Sequence, residues 1–291
     1  MSVVASGTRN EPMSRHTSLH LGGPADVFLR AVSPEDLRAA VAVAREHGTP
    51  FFVLGGGTNL LVADRGIRGV VIENASSEAV ADGDMVAAAS GTPLAHVAAV
   101  AARHGILGLE WMATVPGTVG GAVHGNAGAF GSETKDVLVD AEVLEEDGSL
   151  RTPRREELGF AYRTSALQGT GRVVLRARFR GTRGDRDAAV RRIKEIANER
   201  AAKQPLAQPN TGSIFRNPPG DHAGRLVDAA GLKGRRVGGA VVSQKHANFI
   251  VNLGDATAGD VRDLMRLCQR EVKARFGIDL VPEVELVGDW V

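Results

Sequence analysis

Apolar positions fall into recognisable rhythms along the chain. After Ser33-Pro34-Glu35-Asp36, the residues Leu37, Ala40, Val41 and Ala44 recur at helical spacing. Ser33 is placed to cap, Pro34 suits the first turn, two acids sit at the positive helix end, and Gly48 closes the helix. An apolar run over residues 50–54 predicts a buried strand leading straight into Gly55-Gly56-Gly57-Thr58-Asn59-Leu60-Leu61, and residues 69–72 predict a second strand. Asp82-Gly83-Asp84 marks a turn before a strand at 85–89, and Thr92-Pro93 caps a helix through Ala102 that Gly105 ends. Strands at 137–144 and 150–152 flank Asp147-Gly148 as a hairpin, and residues 173–180 predict another strand. A basic helix follows from Asp185 to about Lys203 on the apolar line Ala189, Ile193, Ile196 and Ala197. Residues 205–209 break the pattern and suggest a boundary. Beyond it come a short strand at 213–216, a helix at 223–230, and strands at 237–242 and 248–252. Thr257 caps a last helix, with Asp260 three residues on, Val261, Leu264, Leu267, Cys268 and Val272 inward, and Gly277 at its end. An extended segment over 278–287 closes the pattern.

This mixture predicts an α+β protein with ample core. The 291 residues allow one large domain or two to three small ones. A net charge of +1 provides no global field for nucleic acid or an anionic membrane, so neither is expected as a partner. No apolar run is long enough to span a bilayer, and Met1-Ser2-Val3-Val4-Ala5-Ser6-Gly7 lacks the basic-then-apolar order of a signal peptide. The single cysteine, Cys268, excludes an internal disulfide framework and a cysteine zinc site, and its helical position reads as core. The histidines form no metal-ligand spacing, so no metal is expected. A cytoplasmic location fits these features.

Candidate chemistry begins at residues 114–131, which hold Gly117, Gly120, Gly121, Gly125, Gly128 and Gly131. So much glycine sacrifices backbone order, and it lets main chain approach a flat or polyanionic group with several N–H groups aimed at it. Interleaved Val, Ala, Pro and Phe favour a ligand cradle over a flexible linker. Neither this run nor the 55–61 loop has the lysine of a Walker loop, and Leu60 stands where a Rossmann fingerprint needs its third glycine. Two such loops in successive α/β units suit a dinucleotide with a pyrophosphate at its middle.

Val53-Leu54-Gly55-Gly56-Gly57-Thr58-Asn59-Leu60-Leu61, then Pro116-Gly117-Thr118-Val119-Gly120-Gly121-Ala122 and Asn126-Ala127-Gly128, resemble the FAD-binding fold of the p-cresol methylhydroxylase (vanillyl-alcohol oxidase) superfamily. Within it the chain resembles the shorter subclass of the UDP-N-acetylenolpyruvoylglucosamine reductase (MurB) family, from about Thr17 to Glu283. The resemblance implies a two-part FAD-binding fold, residues 1–76 and 77–200. A third α/β substrate-binding domain would follow over 201–291, its last strand returning to the first part. It places Gly55, Gly56, Gly57, Thr58, Asn59, Leu60 and Leu61 of the first loop on FAD. From the second loop it adds Pro116, Gly117, Thr118, Gly120, Gly121, Ala122, Asn126, Ala127 and Gly128. No tethering His or Cys is evident, so the flavin is expected to be noncovalent.

Phe160-Ala161-Tyr162-Arg163-Thr164-Ser165 matches the family's Tyr-Arg motif. Read alone, Arg163 is a surface ion pair; by resemblance it grips a carboxylate through two parallel hydrogen bonds. Tyr162 is either a neighbour in that pocket or a core aromatic. Asn210-Thr211-Gly212-Ser213-Ile214-Phe215-Arg216-Asn217-Pro218 matches the motif that carries the proton-donating serine, here Ser213, with Asn217 a substrate contact. Read alone, Ser213 closes a turn after Gly212. No nucleophile-elbow sequence surrounds it. Val281-Pro282-Glu283-Val284-Glu285 matches the C-terminal motif; spacing alone does not separate the two glutamates, and the resemblance with the preceding proline assigns the role to Glu283, which read alone is an exposed strand carboxylate. Lys203 fits a substrate-contacting lysine. Ser243-Gln244-Lys245-His246-Ala247-Asn248 resembles a segment near the substrate, making Lys245, His246 and Asn248 candidates; a hydrogen-bonded structural role for His246 stands beside that reading.

The implied reaction is an NADPH-dependent reduction of UDP-N-acetylglucosamine enolpyruvate to UDP-N-acetylmuramate for peptidoglycan synthesis. Hydride comes from flavin N5 and the proton from Ser213. An FAD oxidase of the same superfamily, or a non-catalytic nucleotide-binding module, would keep the glycine loops without Arg163, Ser213 and Glu283.

Overall fold

A computed structural model describes residues 7–290. The reading of the N-terminus as lacking a leader falls, Gly7 apart, outside them. Two compact units partition the chain.

The first unit holds Phe28–Gly56 and Val70–Arg200. Its centre is a five-stranded antiparallel sheet in the order Leu150–Arg151, Leu138–Leu144, Val173–Arg180, Met85–Ala89, Ala79–Asp82. Both hairpins form where Asp-Gly pairs mark them, and Gly83 and Gly148 supply the positive φ their turns need (57° and 85°). The helix Leu94–Arg103 buries Leu94, Val97, Ala98, Val100 and Ala101 in a core shared with Val86, Leu138, Val143 and Phe179. Each fully buried Leu or Val there contributes about 1.5–3 kcal/mol. In the same unit Phe51–Leu54 lies parallel to residues 70–73, and Pro34–Glu46 is the expected helix, with Ser33 Oγ accepting the Asp36 N–H.

The second unit holds Arg9–Val27, Gly57–Gly69 and Ala201–Val291. Helix Ala258–Phe276 has its full capping box between Thr257 and Asp260 and ends at Gly277 in the left-handed region. It buries Val261, Leu264, Met265, Cys268 and Val272 beside helix Ala223–Ala229 and a three-stranded sheet of Arg236–Val237, Ala240–Val242 and Ile250–Asn252. The last strand, Glu285–Val287, runs parallel to Leu60–Val62.

Four local expectations are corrected. Thr92 does not cap the helix after it: its hydroxyl donates to Glu78 O (2.7 Å) and accepts the Glu78 N–H (3.0 Å), and Pro93 stands at the cap. The apolar run 237–242 is a hairpin rather than one strand, folded at Gly238-Gly239, where Gly238 takes φ 51°. Residues 213–216 make only an isolated bridge, Phe215 to Pro282. The glycine-rich stretch contains a short helix, Val119–Gly125, that pattern reading misses because glycine masks its periodicity; Val119, Ala122 and Val123 are its buried face.

Candidate active site

Glycine in the two loops permits close approach of chain to chain. A Cβ on Gly55 would lie 2.6 Å from Thr118 Oγ1, so the bare Cα of Gly55 lets the first loop pack against that side chain; one on Gly121 would lie at ordinary contact distance, 3.7 Å, from the same atom. Gly57 takes φ 60°, and a Cβ there would stand 1.9 Å from His16 O. Not every loop N–H is presented outward: Val119 and Gly120 donate to Thr92 O (2.9 Å) and Ser90 O (2.7 Å), and Ala122 donates back to Thr118 O. Exposed backbone remains at Gly56, Pro116 and Gly121, with Gly117 half-buried. Leu60, Leu61 and Ala122 put their side chains in the core. Thr58 O accepts the Thr211 hydroxyl (2.8 Å).

Asn126, expected at the cofactor, is fully buried and serves as a pin. It sits at φ 45°, its Nδ2 donates to Ala161 O (2.9 Å) and Glu133 Oε2 (3.1 Å), and its Oδ1 accepts the Lys135 N–H (3.0 Å). Ala127 O accepts both the N–H and the hydroxyl of Thr134. Gly128 pairs with Glu133 across a tight hairpin, where a Cβ on Gly128 would meet Ser132 O at 2.5 Å and Glu133 Cγ at 2.8 Å.

Arg163 meets this hairpin from a separate turn. Ala161 and Thr164 exchange backbone hydrogen bonds (3.1 and 3.2 Å), leaving Tyr162 and Arg163 as the two central residues of a tight turn. Arg163 has φ 57°, a conformation that turns of this kind normally give to glycine or asparagine. Its Nη2 donates to Gly128 O (3.0 Å), its Nη1 lies 3.9 Å from Glu133 Oε1, and its guanidinium stands 5.0 Å from the Tyr162 ring centroid. Tyr162 is 42% exposed, which corrects the core-aromatic reading. A long cation kept in a costly backbone conformation is the kind of strain that marks a functional site.

In the second unit the chain brings Ser213 and Glu283 onto neighbouring segments. Glu283 N donates to Ile214 O (2.8 Å), Arg216 N donates to Val281 O (2.9 Å), and Phe215 bridges Pro282. Asn59 joins them: its Nδ2 donates to Glu283 O (3.1 Å) and its O accepts the Glu285 N–H (2.9 Å). Ile214 and Phe215 are buried, so core packing fixes the height of the half-buried Ser213 beside them. Gly212, at φ 76°, makes the turn before the serine.

Asn248, named as a substrate contact, is buried and clamps this segment. Its Oδ1 accepts the Phe215 N–H (3.0 Å), its Nδ2 donates to Phe215 O (2.8 Å), and its O accepts the Ile214 N–H (2.9 Å). His246 supports the clamp by accepting the Asn248 N–H at Nδ1 (3.2 Å) and meeting Phe249 edge-on. Burial, with help from Lys233, pulls the His246 pKa below its ordinary value. Asn217 is exposed and its Oδ1 accepts the N–H of Ala223 at the start of a helix (3.0 Å). Lys245, also exposed, donates to Ala201 O (2.6 Å), and Lys203 is exposed at the end of its helix. Burial pushes the Cys268 thiol up to about 12, consistent with the core role read for it.

Sequence reasoning missed three residues. Glu133 binds around Asn126, Lys135 and Arg163. Ser18 Oγ and Arg216 Nε are buried without a hydrogen-bond partner among the described residues, which for polar atoms is a cost that a bound ligand can remove. Only Arg216 lies inside a motif that points at chemistry. Among the described residues no group of three His, Cys, Asp or Glu is placed to hold a metal, and no helix is long and apolar enough to cross a membrane.

Comparison with known proteins adds to this geometry. Residues 25–153 match the FAD binding domain model, and residues 204–287 match the model of the UDP-N-acetylenolpyruvoylglucosamine reductase C-terminal domain. The UDP-N-acetylenolpyruvoylglucosamine reductase of Caldanaerobacter subterraneus subsp. tengcongensis is 45% identical over 96% of this chain and 93% of its own. That of Bacillus licheniformis is 44% identical over 98% and 95%. The crystal structure of the Thermus caldophilus enzyme superposes with a TM-score of 0.81 at 38% identity, covering 95% of this chain and 97% of the other.

Proposed function

From the premise that this chain belongs to the UDP-N-acetylenolpyruvoylglucosamine reductase family of oxidoreductases, we propose that it reduces UDP-N-acetylglucosamine enolpyruvate to UDP-N-acetylmuramate in the cytoplasm, with noncovalent FAD as cofactor and NADPH as reductant. We assign FAD binding to residues 1–76 and 77–200, and substrate binding to 201–291.

The residues present fit that cofactor. Gly55 and Gly121 leave room around Thr118 Oγ1 that any side chain would fill, and Ser18 Oγ, beside the Gly57 backbone, is a buried hydroxyl in want of a partner. Gly55 through Leu61 and the 116–128 loop would hold FAD largely through main chain, which requires no lysine or metal. When bound, FAD supplies a hydride acceptor for NADPH and a hydride donor for the enolpyruvyl alkene.

The protein's own groups handle the charge and the proton. Hydride arrival at the terminal methylene builds negative charge toward the substrate carboxylate. Arg163 holds that carboxylate, where a planar fork outperforms a point charge. Glu283 polarises the same group through a shared proton network. The Ser213 hydroxyl gives its proton to the adjacent carbon, completing the lactyl ether. A hydroxyl is a weak acid, but it can protonate a strongly basic carbanion when held in line. Asn248 holds the backbone of Ile214 and Phe215 next to Ser213, and Asn59 holds that of Glu283.

The Arg163 turn carries this reading: a cation held at positive φ beside a carboxylate is the kind of backbone outlier that clusters at functional sites. Ser213→Ala, reduced anaerobically and then given the enolpyruvyl sugar, is expected to reoxidise about 10²–10⁴-fold more slowly than wild type, the usual worth of a positioned acid. A reoxidation rate equal to wild type removes the serine from the mechanism.

A further inference from the structure

We propose that Glu133 is a positioning residue that sets the guanidinium of Arg163 for its carboxylate partner. The inference rests on the function proposed for Arg163 and adds a residue outside every motif that pointed to it.

Glu133 meets Arg163 by two routes. Its Cα faces that of Gly128 across the hairpin, and Gly128 O is the acceptor for Arg163 Nη2 (3.0 Å). Its carboxylate lies 3.9 Å from Arg163 Nη1. Glu133 thus stands beside both contacts: its backbone is paired with the residue whose carbonyl takes Nη2, and its carboxylate places negative charge near Nη1. The bare Cα of Gly128 is part of this arrangement, since a Cβ there would stand 2.8 Å from Glu133 Cγ.

The carboxylate also fixes the turn that carries the arginine. Glu133 Oε2 accepts from Asn126 Nδ2, the same nitrogen that donates to Ala161 O at the turn's first residue. Lys135 Nζ stands 2.6 Å from that oxygen as a second positive charge on it. Glu133 has a local task as well, because it caps the short helix Thr134–Val137 together with Asp136. Capping uses one acceptor site. An ionised carboxylate offers about four; Oε2 here also takes Asn126 and Lys135, and Oε1 faces Arg163 at charge-interaction distance.

Two features argue that the pairing serves positioning more than stability. The Glu133 and Arg163 side chains are each only about one-fifth exposed, so screening by solvent is reduced and a held geometry has value. Arg163 also occupies a backbone region that is costly for a residue with a side chain, so its turn is held by contacts from outside it, from Asn126 to Ala161 O and from Arg163 to Gly128 O.

A double-mutant cycle on the FAD-loaded enzyme tests this. The cycle uses wild type, Glu133→Gln, Arg163→Lys and the double variant, reads reoxidation of the reduced enzyme by the enolpyruvyl sugar, and follows equilibrium denaturation of each. Glu133→Gln is expected to slow reoxidation about 10-fold with Arg163 present and less than about 2-fold in the Arg163→Lys background, since an effect transmitted through the arginine vanishes with it. A further expectation is that Glu133→Asp recovers part of the rate. Equal losses in both backgrounds, or no loss in either, overturn the proposal. If Arg163→Lys itself leaves reoxidation unchanged, the function assigned to Arg163 fails first, which is a separate result. Should Glu133→Gln not fold, Glu133→Asp replaces it in the cycle with the same pair of outcomes.

Discussion

Arg163 and Ser213 reach their positions by contrasting means. The Arg163 turn is half-buried, strained at φ 57°, and held by the Asn126 side chain, the Gly128 carbonyl and the nearby Glu133 carboxylate. The Ser213 segment rests on buried Ile214 and Phe215 and is fixed mainly by backbone hydrogen bonds, with Asn248 as its side-chain clamp. A polar network holds one residue in a costly backbone conformation. An apolar bed gives fixed placement, concentrated on one buried amide.

The largest effect should come from that amide. Asn248→Leu strands the Phe215 N–H and C=O in a buried setting, where each unsatisfied group costs about 1–3 kcal/mol. A loss of about 2–4 kcal/mol in urea denaturation is therefore expected. A loss below about 0.5 kcal/mol, the usual size of a surface change, would show that the segment is held by its apolar bed alone.

At the Arg163 turn the ordering of small residues should invert. Glycine adopts positive φ without the Cβ penalty, so Arg163→Gly should be more stable than Arg163→Ala by about 1 kcal/mol, the reverse of an ordinary site. Alanine equal to or above glycine in denaturation midpoint would mean that the turn relaxes once the arginine is gone.

His246 sharpens the contrast through pH. Burial depresses its folded-state pKa below 6.5, so its contribution to stability is complete above that value and is lost as pH falls through it toward the folded pKa. Protonation also removes the Nδ1 acceptor used by Asn248 N–H. Thermal stability should decline below pH 6.5, and His246→Phe should flatten that part of the profile. An identical slope in the variant would place the titrating group elsewhere.

Much of this is legible in sequence, for physical reasons. Ser33, Thr257 and Gly277 work where capping chemistry puts them, because cap and turn signals are local. Asp82-Gly83 and Asp147-Gly148 form their hairpins for the same reason. Thr92 defeats a local reading because its hydroxyl is taken by Glu78, which lies outside the helix it was expected to cap. The Val119–Gly125 helix is hidden by its glycines. At the candidate site, the motifs point to Arg163, Ser213 and Glu283. The supports are unreadable, since Glu133, and the clamping roles of Asn126 and Asn248, depend on contacts between distant segments.

The most direct test of the account is a sequential anaerobic titration of the FAD-loaded protein followed by visible absorption. NADPH should bleach the flavin, and the enolpyruvyl sugar added next should restore its colour within a turnover while UDP-N-acetylmuramate forms. A flavin that NADPH leaves coloured, or that stays bleached after the sugar is added, would contradict the reductase reading at its root.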